Sequence, residues 1–267
     1  GTGEGLENAR RWPRLRRKVR MTEDILLYAL VGFVAQLVDG AIGMAFGVIS
    51  TSVLLALGVP PAVASAGVHA AEVVTTAISG ISHWMHGNVD KRLFLRLAVA
   101  GVIGGVTGAY ILTQIPGKIA QPAVAIYLCA MAALIVYKAF VRRPAVPVTR
   151  GVVPLGMAGG FLDAVGGGGW GPIVVSNLVA RGNSPRYTIG SVNLAEFFVT
   201  LAISIAFFFT IAPTYFVAAA GLILGGALAA PLAGWMTKRL PPRLLMLLVG
   251  LVVLSLGTLG IVRLAVS

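Results

Sequence analysis

The chain is a duplication of strongly apolar sequence in which acidic residues recur at one fixed spacing. Asp39 is matched by Asp163, and Glu72 by Glu196, each 124 residues later. Apart from a polar N-terminal stretch and Asp90 in a loop, these four are the only acids in the 267 residues. An ionisable group at membrane depth is expensive, so its presence is a functional hypothesis by default. We therefore expect the polar chemistry of the chain to lie where its two halves meet.

The composition is that of a membrane protein. Hydrophobic residues make up 57% of the chain and charged residues 11%, against about 25% charged in a typical soluble domain. Seven of the 21 basic residues lie in the first 20, and most of the others lie in short loops. This distribution is typical of topology signals and lipid headgroup contact, and not of nucleic-acid binding. Cys129 is the single cysteine, which excludes a disulfide framework and a thiolate metal site.

The apolar runs fall into two sets of five. They span residues 24–39, 41–58, 62–85, 93–114 and 119–141, then 151–166, 169–181, 186–211, 214–237 and 242–264. We expect a basic segment at 1–20, lying at the membrane surface or foreign to the native chain. A first membrane repeat at 21–141, a linker at 142–150 and a second repeat at 151–267 would follow. The predicted fold is an all-α polytopic protein of the cell inner membrane.

The start of each half contains broken helices. The first two segments of each half are shorter than the roughly 20 residues that span a bilayer core. They join at Asp39-Gly40 in the first half and in the glycine run 166–169 in the second. Glycine inside a membrane segment frees backbone groups, which is tolerated only against protein or a wet cavity. Paired short, glycine-interrupted segments at equivalent places indicate a transporter's binding site.

Basic loop residues predict the orientation. If all ten segments cross, the loops with Lys91, Arg150, Arg181 and Arg243 fall on one side, the cytoplasm. An odd number of crossings per half makes the repeats inverted, which we favour. The alternative is eight crossings with one re-entrant pair.

The acids are the candidates for proton coupling. Glu72 and Glu196 lie near the start of the third segment of each half, and burial favours the neutral, proton-carrying form of a carboxyl. The alternative is that each glutamate satisfies broken backbone while staying neutral. Asp39 and Asp163 sit at the helix breaks, where holding free backbone N–H groups is as good an explanation as proton transfer.

Polar partners precede the glutamates. His69 comes three residues before Glu72, on the same helical face, and Asn193 holds the equivalent position before Glu196. Both can donate a hydrogen bond to an anion, and His69 can carry charge. His69 bonded to Glu72 alone is an equally good interpretation. The His-x-x-Glu spacing also suits a metal, but no second histidine motif accompanies it, so we predict no metal and no cofactor.

Glycines at the breaks are the candidate anion contacts. The run at 167–169 precedes a predicted helix N-terminus, whose N–H groups and dipole attract anions. Close helix packing is the competing explanation. The candidate substrate-binding residues in and around the breaks are Gln36, Gly43, Gly47, Ser52, Gly167, Gly168, Gly169, Trp170, Gly171, Ser176 and Asn177. For the serines, bonding to their own helix is the simpler interpretation.

These motifs resemble those of the sulfite exporter TauE/SafE family of bacterial permeases. The resemblance rests on GVPPAVASAGVHAAE in the first half, on GGFLDAVGGGGWGPIVVSNLVARG and IGSVNLAEF in the second, and extends over 24–264. The first half departs from it at Ile42, Met44, Ala45 and Phe46, where glycines are common. The family is linked to the movement of small sulfur oxyanions and organosulfonates.

The sequence thus predicts a secondary transporter of a small sulfur-containing anion, sulfite or a sulfonate, coupled to protons, with no enzymatic activity. An anion channel and an intramembrane metal-dependent enzyme are the alternatives. The expected partners are the anion and the lipid bilayer, without nucleic acid, and a homo-oligomer is compatible with these features. Substrate identity and the direction of transport stay open.

Overall fold

The structure is a computed structural model that describes residues 21–42, 44–140, 151–181, 183–237 and 241–266. The basic segment 1–20, the linker 142–150 and Gly43 lie outside these residues, so the expectations for them are not addressed. Within the described residues all regular structure is helical. The first half contains α1 (Met21–Ile42), α2 (Phe46–Ala56), α3 (Pro61–Met85), α4 (Lys91–Gln114) and α5 (Gly117–Phe140). The second contains α6 (Val152–Gly166), a π-helical turn (Gly171–Val175) that continues into α7 (Ser176–Ala180), α8 (Pro185–Thr210), a 3-10 turn (Pro213–Tyr215) before α9 (Phe216–Thr237), and α10 (Pro242–Val266).

Six of the described helices are long and apolar enough to cross a membrane, namely α3, α4, α5, α8, α9 and α10. The prediction of an all-α polytopic membrane protein is therefore confirmed. Helices α2 and α6 are shorter, at 11 and 15 residues. The choice between eight and ten crossings stays a prediction.

The first helix is longer than its sequence suggests. We expected a short segment that breaks at Asp39-Gly40, and this was wrong, because α1 has 22 residues and continues to Ile42. One glycine costs a helix only about 1 kcal/mol, and the packing of α1 along α9 outweighs that. In the second half α6 does end within the glycine run. Gly167 and Gly168 adopt φ of +67° and +151° there, conformations that residues with a Cβ rarely adopt.

The two halves pack with a two-fold pattern. Helix α1 lies against α9, and its equivalent α6 lies against α4; α3 pairs with α8, and α5 with α10. Helices α3 and α8 run antiparallel. His69 near the start of α3 faces Phe207 near the end of α8, while Ser79 near the end of α3 bonds Asn193 near the start of α8. Equivalent helices therefore cross at the centre of the molecule.

These two central helices begin at the same kind of residue. Each begins at a proline, Pro61 or Pro185, whose fixed φ suits the first helical position. Glu72 and Glu196 lie the same number of residues beyond these prolines. The duplication thereby places both glutamates at equivalent positions of the two central helices.

Candidate functional site

A cavity of about 190 Å³ lies between the two halves. It takes residues from α1, the α1–α2 connection, the start of α2 and α3 of the first half, and from α6, the glycine run, the π-helical turn and α8 of the second. Its lining consists of Gln36, Asp39, Met44, Ala45, Phe46, Gly47, Val48, Glu72, Thr75, Thr76, Ser79, His83, Asp163, Gly169, Gly171, Pro172, Ile189, Asn193 and Glu196. All four repeated acids therefore meet at one place.

The two aspartates hold the broken backbone in equivalent ways. Asp39 Oδ1 accepts the N–H groups of Ala45, at 2.7 Å, and Phe46, at 3.2 Å. Asp163 Oδ1 accepts the N–H of Trp170 at 2.9 Å. The bonds to Phe46 and Trp170 each span seven residues, so the duplication preserves this contact. The carboxylates thus satisfy donors that a helix N-terminus leaves without partners.

Two substitutions of Asp39 separate its backbone role from its charge. Asp39→Ala is expected to destabilise the protein by about 1–3 kcal/mol, because it leaves two backbone donors without an acceptor. Asp39→Asn keeps an amide oxygen at the Oδ1 position, and we expect a loss below about 1 kcal/mol. Thermal unfolding in detergent measures both variants. Equal melting temperatures for the two variants would contradict the backbone role.

The two glutamates face the cavity from the crossing helices. The Glu72 side chain is buried, with the residue 5% exposed, and its Oε2 has no hydrogen-bond partner among the described residues. Its backbone carbonyl accepts the Thr76 hydroxyl at 2.5 Å. Glu196 lines the same cavity from α8. A buried carboxyl oxygen without a partner is costly, and a bound proton or a hydrogen-bond donor would relieve that cost.

His69 and Asn193 are equivalent in the sequence repeat, but they have different surroundings in the structure. His69 is 0% exposed and does not line the cavity. Its Nε2 lies 3.2 Å from Asp163 Oδ2, so its acidic partner is Asp163 and not Glu72. Asn193 does line the cavity, and its amide bonds the Ser79 hydroxyl at 2.9 Å.

Three of these side chains could hold a metal ion. One ligand atom each from His69, Glu72 and Asp163 lies within 4.8 Å of the others. We expected no metal, and this cluster is the place at which that expectation can be tested.

The glycine run mainly forms the contact between the end of α6 and the start of α2. Gly47 approaches Gly168 so closely that an added Cβ would lie 2.7 Å from its Cα. The Thr51 hydroxyl donates to the Gly167 carbonyl, and the Tyr127 hydroxyl donates to the Gly168 carbonyl at 3.0 Å. Gly167 and Gly168 do not line the cavity. The neighbouring glycines Gly169 and Gly171 reach the cavity.

Most of the other sequence candidates lie away from the cavity. Trp170 is fully buried, and its indole N–H donates to the Val192 carbonyl at 3.3 Å. Ser52 and Asn177 bond the Val48 and Ile173 carbonyls of the preceding turn, and the Ser176 hydroxyl contacts Met44 Sδ at 3.7 Å. Gln36 does line the cavity.

Sequence reasoning missed one stripe of α3. Thr75, Thr76, Ser79 and His83 line the cavity, at three, four, seven and eleven residues after Glu72. This spacing is that of a single helical face. The signal was therefore present in the sequence.

Lys138 is a fifth residue that sequence reasoning did not place near the site. Its Nζ donates to the Pro172 carbonyl at 2.6 Å. This bond satisfies a carbonyl in the π-helical turn, next to the cavity wall.

The helices and the central polar cavity define the class of a polytopic membrane transport protein. A profile described as "Sulfite exporter TauE/SafE" matches residues 28–259. A curated relative, the "Probable membrane transporter protein YtnM" of Bacillus subtilis (strain 168), is 41% identical over 238 residues, covering 85% of this chain and 79% of the relative. The chain belongs to the TauE/SafE family, and it is a membrane transporter and not an enzyme. No solved structure matches it.

Proposed function

We propose that the protein is a secondary transporter that moves a small sulfur-containing anion across the cell inner membrane together with protons. The observation that carries the proposal is the composition of the cavity wall. Four acids line the cavity, and no lysine or arginine does among the described residues. Because like charges in a buried site repel strongly, an anion enters favourably only if carboxyls that line the cavity bind protons. Anion binding and proton binding are thereby linked.

Donors for the anion come from neutral groups. Asp39 already occupies the N–H groups of Ala45 and Phe46, so the next N–H groups of the α2 N-terminus, at Gly47 and Val48, are the ones available to a ligand. Threonine and serine hydroxyls of α3 and the Asn193 amide add side-chain donors. The volume of about 190 Å³ corresponds to roughly six waters at about 30 Å³ each, which suits a small oxyanion or sulfonate.

The antiparallel crossing of α3 and α8 supports inverted repeats. If these equivalent helices span the bilayer, the axis that relates the halves lies in the membrane plane. The cavity extends along α3 from Glu72 to His83, toward the loop of Lys91, which we predict to lie in the cytoplasm from its basic residues. Rocking of one half against the other would then open the site to the opposite side.

Proteoliposomes test the function directly. Purified protein is reconstituted with a pH dye inside, and labelled sulfite, thiosulfate, sulfoacetate and taurine are added in turn. We expect one or more of them to move together with protons and to raise the melting temperature of detergent-purified protein, because a bound ligand stabilises by mass action. Substrate movement without proton flux would refute the coupling. Conductance in planar bilayers far above transporter turnover would favour a channel.

A further inference from the structure

The outer end of the cavity lies near the end of α3, where Ser79 and His83 line it. These two residues are four apart, so they share one face of the helix. His83 comes eleven residues after Glu72, which corresponds to about 16 Å along the helix axis. His83 is partly exposed, whereas Glu72 is buried. A ligand that enters the cavity along α3 therefore passes His83 before it reaches Glu72.

The loop after α3 holds Asn88 in one position. The helix ends in a Schellman motif, in which Gly87, with φ of +64°, donates to the Trp84 carbonyl at 3.1 Å. The Asn88 N–H donates to the His83 carbonyl at 2.9 Å. A Cβ added to Gly190 of α8 would overlap the Asn88 carbonyl oxygen. The end of α3 in the first half is thereby packed closely against the start of α8 in the second.

Arg186 of α8 determines the orientation of the Asn88 amide. Its Nε donates a hydrogen bond to Asn88 Oδ1, and a guanidinium has only donors to offer. The amide atom that faces Arg186 must therefore be the oxygen. The amide nitrogen lies 3.4 Å from His83 Nδ1. Because an amide nitrogen can only donate, Nδ1 is the acceptor in this contact.

His83 is thereby held in one tautomer. A neutral imidazole carries its hydrogen on one ring nitrogen, and Nδ1 uses its lone pair to accept from Asn88. The hydrogen is then on Nε2, and no residue that the structure describes accepts it. The Ser79 oxygen accepts the Asn193 amide at 2.9 Å, and its hydroxyl hydrogen likewise has no acceptor in the described part of the chain. Two hydrogen-bond donors are thus available to a ligand at the outer end of the cavity.

Basic side chains lie around this end of the cavity. Arg186 is exposed, and Lys91 Nζ lies 5.6 Å from the centre of the Trp84 ring. Neither base forms an ion pair with a carboxylate of the described residues. Asp90, the acid of the same loop, accepts two N–H groups from the first turn of α4. Unpaired positive charge attracts anions to this end of the molecule.

We propose that His83 and Ser79 form an outer subsite that binds the small anion before it reaches the four acids. The inference rests on the proposed function and deepens it. The subsite offers hydrogen-bond donors, and the oxygens of sulfite or a sulfonate are acceptors, so its ligand class is a small oxyanion. Asn88 and Arg186 are positioning residues. They hold the His83 Nε2–H as the donor and do not contact the anion.

Nitrogen-15 NMR of histidine-labelled protein in lipid measures the tautomer directly. The chain has three histidines, and His83→Gln assigns the His83 signals by removing them. In alkaline buffer, where histidine is neutral, we expect the wild type to carry its hydrogen on Nε2 and to have a bare Nδ1. In Asn88→Asp both side-chain oxygens are acceptors, so Nδ1 should become protonated. A wild-type His83 with its hydrogen on Nδ1 would overturn the proposal.

Substitutions of His83 measure the contribution of the donor to anion binding. His83→Leu removes the donor, whereas His83→Gln keeps an amide N–H. Because a hydrogen bond to a charged ligand is lost, we expect the KM for the anion to rise about tenfold in His83→Leu and to stay within about threefold of wild type in His83→Gln. The kcat should change less, because the four acids are intact. Asn88→Asp, which keeps the imidazole but moves its hydrogen, should also raise the KM.

His86→Leu is the matched control. His86 is exposed, its Nδ1 bonds the Ser82 carbonyl at 2.7 Å, and it does not line the cavity, so this variant should keep the wild-type KM. Uptake of labelled sulfite, thiosulfate, sulfoacetate and taurine into proteoliposomes supplies the kinetics, and melting temperatures check the folding of each variant. A wild-type KM in His83→Leu overturns the subsite and leaves the proposed function intact. If the wild-type protein moves none of the four anions, the proposed function fails and the subsite fails with it.

Discussion

Replacement of both Glu72 and Glu196 by glutamine is expected to uncouple transport from protons. Glutamine keeps the size of the side chain and removes the charge at these two positions, so an anion can still bind, but it carries no titratable proton. With one proton per substrate, a pH difference of one unit is worth about 1.36 kcal/mol, which supports about tenfold accumulation by the wild-type protein. The double variant should equilibrate the anion to a ratio of about one.

The assay is labelled-substrate accumulation in proteoliposomes with an imposed pH gradient. Each single variant measures the contribution of one half. We expect Glu72→Gln to be the more severe, because Glu72 lies next to the buried contact between His69 and Asp163. Retention of substrate binding by thermal shift is the control for folding. Wild-type accumulation and pH dependence in the double variant would rule out coupling through these residues.

Replacement of Gly168 by alanine is expected to destabilise the protein by about 3 kcal/mol or more, since backbone strain and overpacking each cost about 1–3 kcal/mol. Gly168 has φ of +151°, and an added Cβ would lie 2.7 Å from Gly47 Cα and closer still to the neighbouring backbone atoms. Contacts under 3.0 Å are essentially never seen for a real Cβ. The substitution would force the glycine run after α6 away from the start of α2, and these two segments form part of the cavity wall.

Two other glycines are matched controls for this effect. Gly58 has φ of +86° with nothing within 4 Å of an added Cβ, so Gly58→Ala measures the backbone strain alone. Gly260 in α10 has open space and no such φ, so Gly260→Ala should be neutral or stabilising by up to about 1 kcal/mol. Melting temperatures in one detergent rank the three. A Gly168→Ala protein as stable as Gly58→Ala would contradict the tight contact between the breaks.

Periodicity and spacing predict much of what the candidate site contains. The recurrence of Asp39 and Glu72 as Asp163 and Glu196 indicated a duplication with its chemistry between the halves, and all four acids line the central cavity. What the pattern did not predict was the extent of α1, because the cost of Gly40 in a helix is small beside the packing energy of a long contact with α9. Local propensity is a weak prior when tertiary packing opposes it.

The sequence by itself determined the class of the protein, the duplication and the positions of its acids, because apolar length and acid spacing are properties of the chain alone. Only the tertiary structure decided which acid accompanies His69. Glu72 is the neighbour along the helix, but Asp163, 94 residues away, comes within hydrogen-bond distance because α6 packs against α3. Equivalent positions in a repeat share a backbone environment. The partner of a side chain depends instead on which residues of the other half pack against it.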